Sequence, residues 1–223
     1  MNEPTTLDTS AGEFELQDCR IRHGGREWTV LHTGAVLNQM DESRVIGERD
    51  NRLPYGVSLW PSAIALAQEV ASRDLRGRPI LELGAGTGLP GIVAATLGGR
   101  VVQTDRDELA MFLCKRNGER NRVAVEYRLA DWTVWDDVGH YDWIIGADIL
   151  YGESLHPQLR RIFETNLTPG GRILLSDPFR SMSLRFLEAL EADGWQVSFS
   201  KWEVGDERPI GVFELMPPEM RRQ

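Results

Sequence analysis

The chain is poor in cysteine and in long apolar runs, and each scarcity argues against a class of protein. Among its 223 residues only Cys19 and Cys114 are cysteines. Two cysteines are too few for a disulfide framework, so we expect reduced thiols. No apolar run approaches the roughly 18 residues of a membrane-spanning helix, and residues 1–20 lack the pattern of a signal peptide. The sequence therefore predicts a cytoplasmic protein that does not cross a membrane.

Lysine and histidine are also scarce, and basic residues are outnumbered by acidic ones. The four histidines are scattered and form no cluster with cysteine at metal-ligand spacing, so no metal site is predicted. Asp and Glu number 34 against 25 Lys and Arg, which gives a formal net charge of -9. This balance argues against a nucleic-acid partner, since duplex DNA binders usually present a basic face. A local basic patch stays open, because all but two of the basic residues are arginine.

From residue 61 onward, short apolar runs alternate with helical patterns. This alternation predicts an α/β fold whose largely parallel sheet is covered by helices on both faces. The predicted strands are residues 80–83, 101–104, 124–128, 143–146 and 172–176, and the predicted helices are residues 61–71, 88–97, 107–119, 153–166 and 181–193. Two late runs, residues 196–200 and 211–215, predict a terminal antiparallel hairpin.

The N-terminal part follows a different pattern. Residues 13–21 and 27–32 are strand-like and are joined through Gly24-Gly25, which predicts a β-hairpin. Residues 1–11 are interpreted as a frayed polar terminus, and residues 34–58 as a loop region that leads towards a binding site. We expect residues 1–52 to form an extension and residues 53–223 to form the main domain.

The segment Leu83-Gly84-Ala85-Gly86-Thr87-Gly88 follows a predicted strand and opens a helix, as a nucleotide-binding loop does. Its G-x-G-x-G spacing differs from the G-x-G-x-x-G of dinucleotide dehydrogenases. Glu82 lies two residues ahead of the first glycine. A carboxylate there would repel phosphate but could pair with an ammonium group, directly or through water. The pattern favours an amino-acid-bearing nucleoside, and the alternative is a plain tight turn.

Further residues at predicted strand ends suit the same ligand. Asp105 ends the next strand, where a carboxylate can accept hydrogen bonds from two ribose hydroxyls. In Asp131-Trp132 a carboxylate can accept the adenine amino hydrogen and an indole can stack on the ring. The alternatives are Asp105 as a helix cap and Trp132 as a core residue. Their order along the chain favours the nucleoside site.

Together these residues and the late hairpin resemble the class I S-adenosylmethionine-dependent methyltransferases. The narrower resemblance is to methyltransferase family 16, and it covers residues 53–200. It rests on Leu59-Trp60-Pro61-Ser62, the run GAGTGLPG at 84–91, Asp131-Trp132 and the run GADILY at 146–151. It implies a Rossmann-like, doubly wound, mainly parallel seven-stranded sheet with a C-terminal antiparallel hairpin, to which the N-terminal β-hairpin is added. The implied cofactor is S-adenosyl-L-methionine, and the implied product is S-adenosyl-L-homocysteine.

The same resemblance implies roles for individual residues. The implied cofactor contacts are Trp60, the loop residues Gly84, Ala85 and Gly86 under the methionine moiety, Asp105 on the ribose, Trp132 on the adenine and the Ala147 backbone beside the sulfonium. The run Asp148-Ile-Leu-Tyr151 matches a D-x-x-Y signature at the mouth of the acceptor site. Asp148 would orient the acceptor amine and Tyr151 would hydrogen-bond or flank it. The alternatives are a helix cap for Asp148 and loop packing for Tyr151.

The acceptor itself is predicted to be a protein lysine, whose amine must be neutral in order to attack. Residues 51–56 and the segment Asp177-Pro-Phe-Arg180 are candidates for acceptor contacts, the latter because it follows a strand at the ligand-binding edge of the sheet. One alternative acceptor is a small amine or pyridine, as in nicotinamide N-methyltransferase-like enzymes. Another hypothesis is a cofactor-binding interaction module without turnover. A nicotinamide dehydrogenase is disfavoured by the loop spacing and by Glu82.

Overall fold

A seven-stranded sheet forms the centre of the computed structural model, which describes residues 6–9, 12–34, 55–137, 139–204 and 209–218. The strands in chain order are β1 (Thr6–Thr9), β2 (Gly12–Glu15), β3 (Gln17–His23), β4 (Arg26–His32), β5 (Pro79–Leu83), β6 (Arg100–Asp105), β7 (Glu126–Leu129), β8 (Tyr141–Ala147), β9 (Leu167–Asp177), β10 (Gln196–Glu203) and β11 (Pro209–Met216). Across the sheet the order is β10-β11-β9-β8-β5-β6-β7. Strands β5 to β9 pair in parallel, and β11 is antiparallel to both of its neighbours. The predicted fold class is confirmed.

Helices cover both faces of the sheet, as the near-continuous apolar strands require. They are α1 (Pro61–Ala71), α2 (Leu89–Thr96), α3 (Glu108–Arg120), α4 (His156–Asn166) and α5 (Ser181–Ala192). On β8, Ile145 packs in the cluster that holds α1 and α2, whereas its neighbour Ile144 packs in the cluster that holds α4 and α5. Successive strand residues point to opposite faces, so each strand contributes to two cores. None of the described helices has the length and apolar character needed to span a bilayer.

Several element boundaries differ from the sequence-based expectation; β9, for example, begins at Leu167 and not at residue 172. Three of the differences have a local cause. Helix α3 begins at Glu108 because Asp107 caps it and accepts a hydrogen bond from the Leu109 amide at 2.8 Å, so Asp105 is not the cap. The predicted helix 153–166 starts with a 3-10 turn, and α4 begins only at His156, because Pro157 is favoured in the first turn of an α-helix. Strand β7 starts two residues later than predicted, since the turn after α3 continues through Arg122, which has a left-handed φ of 56°.

The N-terminal segment contains two hairpins, where the sequence predicted one. The hairpin β3–β4 is confirmed, and Gly24 and Gly25 take the positive φ values (56° and 77°) that its tight turn requires. The interpretation of residues 1–11 as frayed is wrong for Thr6–Thr9, because β1 pairs with β2. The predicted run 13–21 accordingly divides between β2 and β3. Strand β1 contributes the buried Leu7, which packs with Leu31 and Leu113, and a single apolar residue gives no periodic signal.

The β3–β4 hairpin packs directly on the main domain. The indole nitrogen of Trp28 donates to Thr96 Oγ1 at 2.7 Å. The Asn117 side chain exchanges two hydrogen bonds with Leu31 and also donates to the Thr87 carbonyl at 2.9 Å. The hairpin is thereby tied to the glycine-rich loop, while the division at residues 52 and 53 stays a prediction. Of the predicted loop region, residues 35–54 lie outside the described residues, and with them most of the predicted acceptor rim; Tyr55–Val57 form a 3-10 turn.

Candidate active site

The predicted site residues gather at the carboxyl edge of the central sheet, where ligands bind in open α/β folds. We call one part the cofactor edge: residues 84–88, Asp105 and residues 131–132, at the ends of β5, β6 and β7. We call the other part the acceptor edge: Asp148, Tyr151, Asp177 and Arg180, which follow or end β8 and β9. Because β8 lies directly beside β5 in the sheet, the two edges adjoin.

The glycine-rich loop turns sharply and is enclosed on several sides. Gly84, Gly86 and Gly88 all have left-handed φ values, of 62°, 54° and 79°. A Cβ atom on Gly84 would lie 3.0 Å from Ile149 Cγ2 and 3.4 Å from Trp132 Cζ2. The Ala85 amide donates to the Thr104 carbonyl at 2.9 Å, which fixes the loop to β6. The loop therefore comes closest to its neighbours at glycines, which have no side chain. We call this concave loop the cradle.

Glu82 lies beneath this loop and is 1% exposed. Its Oε2 accepts hydrogen bonds from Gln103 Nε2 at 2.5 Å and from the Gly91 amide at 3.2 Å. Burial, with a smaller contribution from the charge of Asp105, raises the pKa of the Glu82 carboxyl to about 8. These contacts tie β5 to β6 and α2. The predicted pairing of Glu82 with a ligand ammonium group stays a prediction.

Sequence reasoning missed Gln103 and Gly91 as partners of Glu82. A Cβ atom on Gly91 would lie 2.3 Å from Glu82 Oε2 and 2.5 Å from Gln103 Nε2, so glycine is required for the close approach. The sequence did contain a signal for Gly91. It is the fourth glycine of the run GAGTGLPG and follows Gly88 by about one helical turn. Gln103 is a polar residue that follows Val101 and Val102 in β6, and it is fully buried.

Asp105 reaches back to the loop from the end of β6. Its Oδ2 accepts from the Gly86 amide and its Oδ1 from the Asp107 amide, both at 3.0 Å. Burial raises the pKa of the Asp105 carboxyl. Asp105 and Gly86 are therefore in direct contact, as a ribose-binding acid beside a nucleoside loop would be.

Asp131 and Trp132 lie on the other side of the loop. Trp132 is half-buried, and its ring lies against Gly84. Asp131 is exposed, and its Oδ1 accepts from the backbone and the hydroxyl of Thr133, both at 2.8 Å. These hydrogen bonds lower the pKa of the Asp131 carboxyl. A glycine cradle, a carboxylate for ribose hydroxyls and an aromatic ring fit S-adenosylmethionine.

Backbone contacts place Trp60 and Ala147 at the carboxyl edge of the central sheet. The Trp60 carbonyl accepts the Ala63 amide at 3.0 Å at the start of α1. The next turn is anchored where Ser176 Oγ donates to the Ser62 carbonyl at 2.8 Å. Ala147 ends β8 opposite Ser176 of β9 and directly precedes Asp148. Trp60 therefore lies near the end of β9, beside the acceptor edge.

Asp148 has a constrained backbone and a paired carboxylate. Its φ is 57°, and its amide donates to the Ser176 carbonyl at 2.8 Å. The side chain is 10% exposed and receives both terminal nitrogens of Arg180: Nη1 donates to Oδ1, and Nη2 donates to Oδ2 at 3.3 Å. Asp148 is not a helix cap, since the next helical turn begins at Glu153. Tyr151 is 54% exposed, so it is not packed into the core.

Arg180 is held in turn by Asp177, whose side chain is fully buried. Asp177 Oδ1 accepts the Arg180 amide at 2.7 Å, and its Oδ2 accepts Arg180 Nη1 at 3.2 Å and Ser183 Oγ at 2.7 Å. The sequence singled out the segment 177–180 for acceptor contact but missed the pairing of Arg180 with Asp148. Among the described residues, no group of three or more His, Cys, Asp or Glu side chains could hold a metal ion.

Comparison with known proteins identifies the family to which this site belongs. A family model described as lysine methyltransferase matches residues 39–193. The protein N-lysine methyltransferase METTL21A of Danio rerio is 34% identical over 178 residues, which cover 76% of this chain and 71% of that protein. The chain belongs to the lysine methyltransferase family.

A second relative is also named for lysine methylation, and a solved structure shares the fold. EEF1A lysine methyltransferase 3 of Mus musculus is 34% identical over 142 residues, covering 59% of each chain. Among solved structures, the Thermus thermophilus 16S rRNA N2 G1207 methyltransferase, in complex with AdoMet and guanosine, aligns with a TM-score of 0.62. It covers 91% of this chain and 50% of that one at 19% identity, and it supports the fold alone.

Membership of the lysine methyltransferase family confirms several predictions from the sequence. It confirms the class I methyltransferase fold, S-adenosylmethionine as the cofactor and methyl transfer to lysine as the family activity. The residues at the cofactor edge fit that cofactor by their geometry. The individual roles assigned to the eleven predicted site residues stay predictions.

Proposed function

We propose that the chain transfers a methyl group from S-adenosylmethionine to the ε-amine of a lysine in a protein, and that Asp148 and Tyr151 receive this amine. The observation that carries the proposal is the contact between the two edges. Ile149 directly follows Asp148, and its Cγ2 lies 3.0 Å from the position of a Cβ on Gly84. An amine held at Asp148 is therefore next to the loop that cradles the cofactor.

For methyl transfer the protein mainly has to align the amine with the methyl group and allow the amine to lose one proton. When bound, S-adenosylmethionine supplies a methyl group activated by a positive sulfur. The lysine amine must first be neutral, and with an ordinary pKa near 10.4 only about one in a few thousand is neutral at pH 7. The lysine ammonium would first release one proton to water, and its nitrogen would then form a bond to the methyl carbon as the carbon–sulfur bond breaks. This leaves a methylated ammonium on the lysine and neutral S-adenosylhomocysteine.

Each side chain at the acceptor edge has a proposed task. The Asp148 carboxylate accepts an N–H of the amine and so directs the nitrogen lone pair. The Tyr151 phenol lies at the mouth and flanks the lysine side chain. At the cofactor edge, the proposed contacts are Trp60, Glu82, Gly84, Ala85, Gly86, Asp105, Asp131, Trp132 and Ala147.

A protein acceptor is supported by the family and by the exposure of the site. The family model is described as lysine methyltransferase, and the two relatives described above are named for lysine methylation. Tyr151 is more than half exposed, which suits a lysine presented on another protein's surface. We place the enzyme in the cytoplasm, which the free thiols of Cys19 and Cys114 support; cell fractionation tests this location.

Deuterated S-adenosylmethionine tests the acceptor class. The chain is incubated with trideuteromethyl cofactor and a soluble protein extract, and the hydrolysed protein and the small-molecule filtrate are analysed by mass spectrometry. We expect trideuteromethyl-lysine in the protein fraction, and far less of it with Asp148→Asn. Label found only in the filtrate, or in methyl-arginine, would overturn the protein-lysine proposal. Binding of S-adenosylhomocysteine without any transfer would instead indicate a module without turnover.

A further inference from the structure

The pairing of Arg180 with Asp148 has a consequence for the proposed acceptor chemistry. The two residues follow neighbouring parallel strands and lie 32 positions apart. Two guanidinium nitrogens meet two carboxylate oxygens, an arrangement that fixes orientation as well as charge. The carboxylate proposed to receive a cationic side chain thus already carries a cation.

We propose that Arg180 is a positioning residue for methyl transfer: it fixes the Asp148 carboxylate and offsets its charge, so that the site binds the lysine amine without stabilising its ammonium form. The inference rests on the proposed function, because that function places the amine at Asp148. Arg180 acts through Asp148 and is assigned no contact with the reacting atoms.

The surroundings of Arg180 hold it in place from several sides. Asp177 binds both its backbone amide and its guanidinium. The preceding Phe179 has a left-handed φ of 62°, and its ring packs at 5.6 Å from that of Phe213. A Cβ on Gly211 would lie 2.8 Å from Phe179 Cζ, so a glycine is needed beneath the ring. Sparsely populated backbone conformations occur at both Asp148 and Phe179, and such residues persist where the surrounding structure fixes them.

The charge of a carboxylate changes the pKa of an amine that lies beside it. A lone carboxylate beside an amine favours the ammonium and raises its pKa, which lowers the fraction of nucleophilic amine. A guanidinium bound to the same carboxylate opposes that shift. The structure therefore provides a carboxylate that can accept an N–H while attracting the proton less.

Other titratable groups near Asp148 lie on the segments that follow it in the chain. Asp177 faces it through Arg180, and Tyr151 lies three residues on. Glu153 pairs with Arg185 on α5. His156 begins α4, with its Nε2 3.0 Å from the Leu150 carbonyl. These groups are present in the wild type and in both Arg180 variants below, so a change confined to those variants comes from the guanidinium.

A pH profile of methyl-lysine formation tests the proposal. Four proteins are assayed with tritiated S-adenosylmethionine and a soluble protein extract: wild type, Arg180→Gln, Arg180→Lys and the control Arg185→Gln. The assay runs from about pH 6 to about pH 10, a range around the ordinary lysine pKa.

For Arg180→Gln we expect the rising limb of the pH–rate profile to move up by about one pH unit or more, with at least about a tenfold loss of rate near neutral pH. Arg180→Lys keeps the charge and loses the two-point geometry, so its limb stays in place while its rate falls. Arg185→Gln, which changes an exposed pair on the same helix, keeps the wild-type profile.

Three other results would overturn the inference. A uniform loss of rate in Arg180→Gln, without a shift of the limb, would assign Arg180 a structural role only. A faster Arg180→Gln would mean that the guanidinium competes with the lysine for Asp148. Absence of methyl-lysine with the wild type at every pH would overturn the proposed function and the inference with it. Calorimetry with S-adenosylhomocysteine on each variant separates these results from a failure to fold.

Discussion

The cofactor edge and the acceptor edge lie side by side on one sheet, yet they are built from different groups. At the cofactor edge the close contacts involve backbone: the Gly86 amide on Asp105, the Ala85 amide on Thr104, and glycines where a Cβ would collide. At the acceptor edge, side chains from two strand ends form a cluster of charges, Asp148, Arg180 and Asp177. We infer that changes at the cofactor edge act through shape and that changes at the acceptor edge act through charge.

The largest effect is expected for a charge change at the acceptor edge. Asp148→Asn removes the carboxylate charge, and asparagine tolerates the left-handed backbone that Asp148 adopts. We expect methyl-lysine formation to fall by about 100-fold or more, with unchanged S-adenosylhomocysteine affinity by calorimetry. Asp142→Asn, at the opposite end of β8 where the carboxylate pairs with Arg78 at 3.1 Å, is the matched control and should retain activity. Full turnover in Asp148→Asn would contradict the inference that changes at the acceptor edge act through charge.

A shape change at the cofactor edge should act on binding. Gly84→Ala forces a left-handed alanine and places its Cβ 3.0 Å from Ile149. Strain of this kind is of order 1–3 kcal/mol and lowers stability, whereas the added Cβ also takes up space between the loop, Ile149 and Trp132. Because of this lost space we expect S-adenosylhomocysteine affinity to fall at least about tenfold. Gly77→Ala has a similar φ of 70° with no neighbouring atom within 4 Å, and it should lower stability without changing affinity. Equal affinities for the two variants would show that the cradle around Gly84 is not where the cofactor binds.

Asp105 gives a further test, because it is a partly buried carboxylate at an edge built mainly from backbone contacts. Hydrogen bonds to a charged acceptor contribute about 1.5–3 kcal/mol, so Asp105→Asn should weaken S-adenosylhomocysteine binding about tenfold or more. Burial raises the Asp105 pKa, so the carboxylate is lost at a higher pH than for an ordinary aspartate. Wild-type affinity should therefore fall on acidification through that raised pKa. Calorimetry over a pH series should find no such fall in Asp105→Asn, and parallel curves would contradict the assignment.

The smallest effect concerns stability beneath the loop. The folded-state pKa of Glu82, about 8, lies above its ordinary 4.5, so between these values the folded protein holds a proton that the unfolded chain has released. The contribution of Glu82 is complete below the lower value and is lost as the pH rises through the upper one. The wild-type free energy of unfolding, relative to Glu82→Gln, should fall by about 1.4 kcal/mol from pH 6 to pH 7.

Urea unfolding of both proteins across that pH range measures this difference. The neutral amide of Glu82→Gln can accept the same two hydrogen bonds, from Gln103 and Gly91, so it matches the protonated acid. Asp105 is also shifted upward, but it is common to both proteins and cancels. A difference that stays constant across this pH range would show that Glu82 is already charged in the fold and would favour its predicted pairing with a ligand ammonium group.

Much of the cofactor edge was predictable because its signals are local. A strand, a G-x-G-x-G loop and a helix occur in one short stretch, and Asp105 and Asp131 follow the next two strands. Ala85 contacts β6 through its backbone, which any residue there would offer. Gln103 was missed because its contact with Glu82 depends on the register between β5 and β6, in which the two residues lie opposite each other. Gly91 was missed because its contact depends on how α2 packs on β5.

The alternation of strands and helices, the β3–β4 hairpin and the glycine loop could be predicted from the sequence, since each is a pattern of neighbouring residues. The same holds for the order of the acidic residues. Other features depend on tertiary structure. It placed β11 between β9 and β10, docked the N-terminal hairpin through Asn117, and brought Arg180 onto Asp148. The physical reason is that the carboxyl ends of parallel strands meet in space although a helix separates them in the chain. Local periodicity in the sequence does not indicate which strands become neighbours in the sheet.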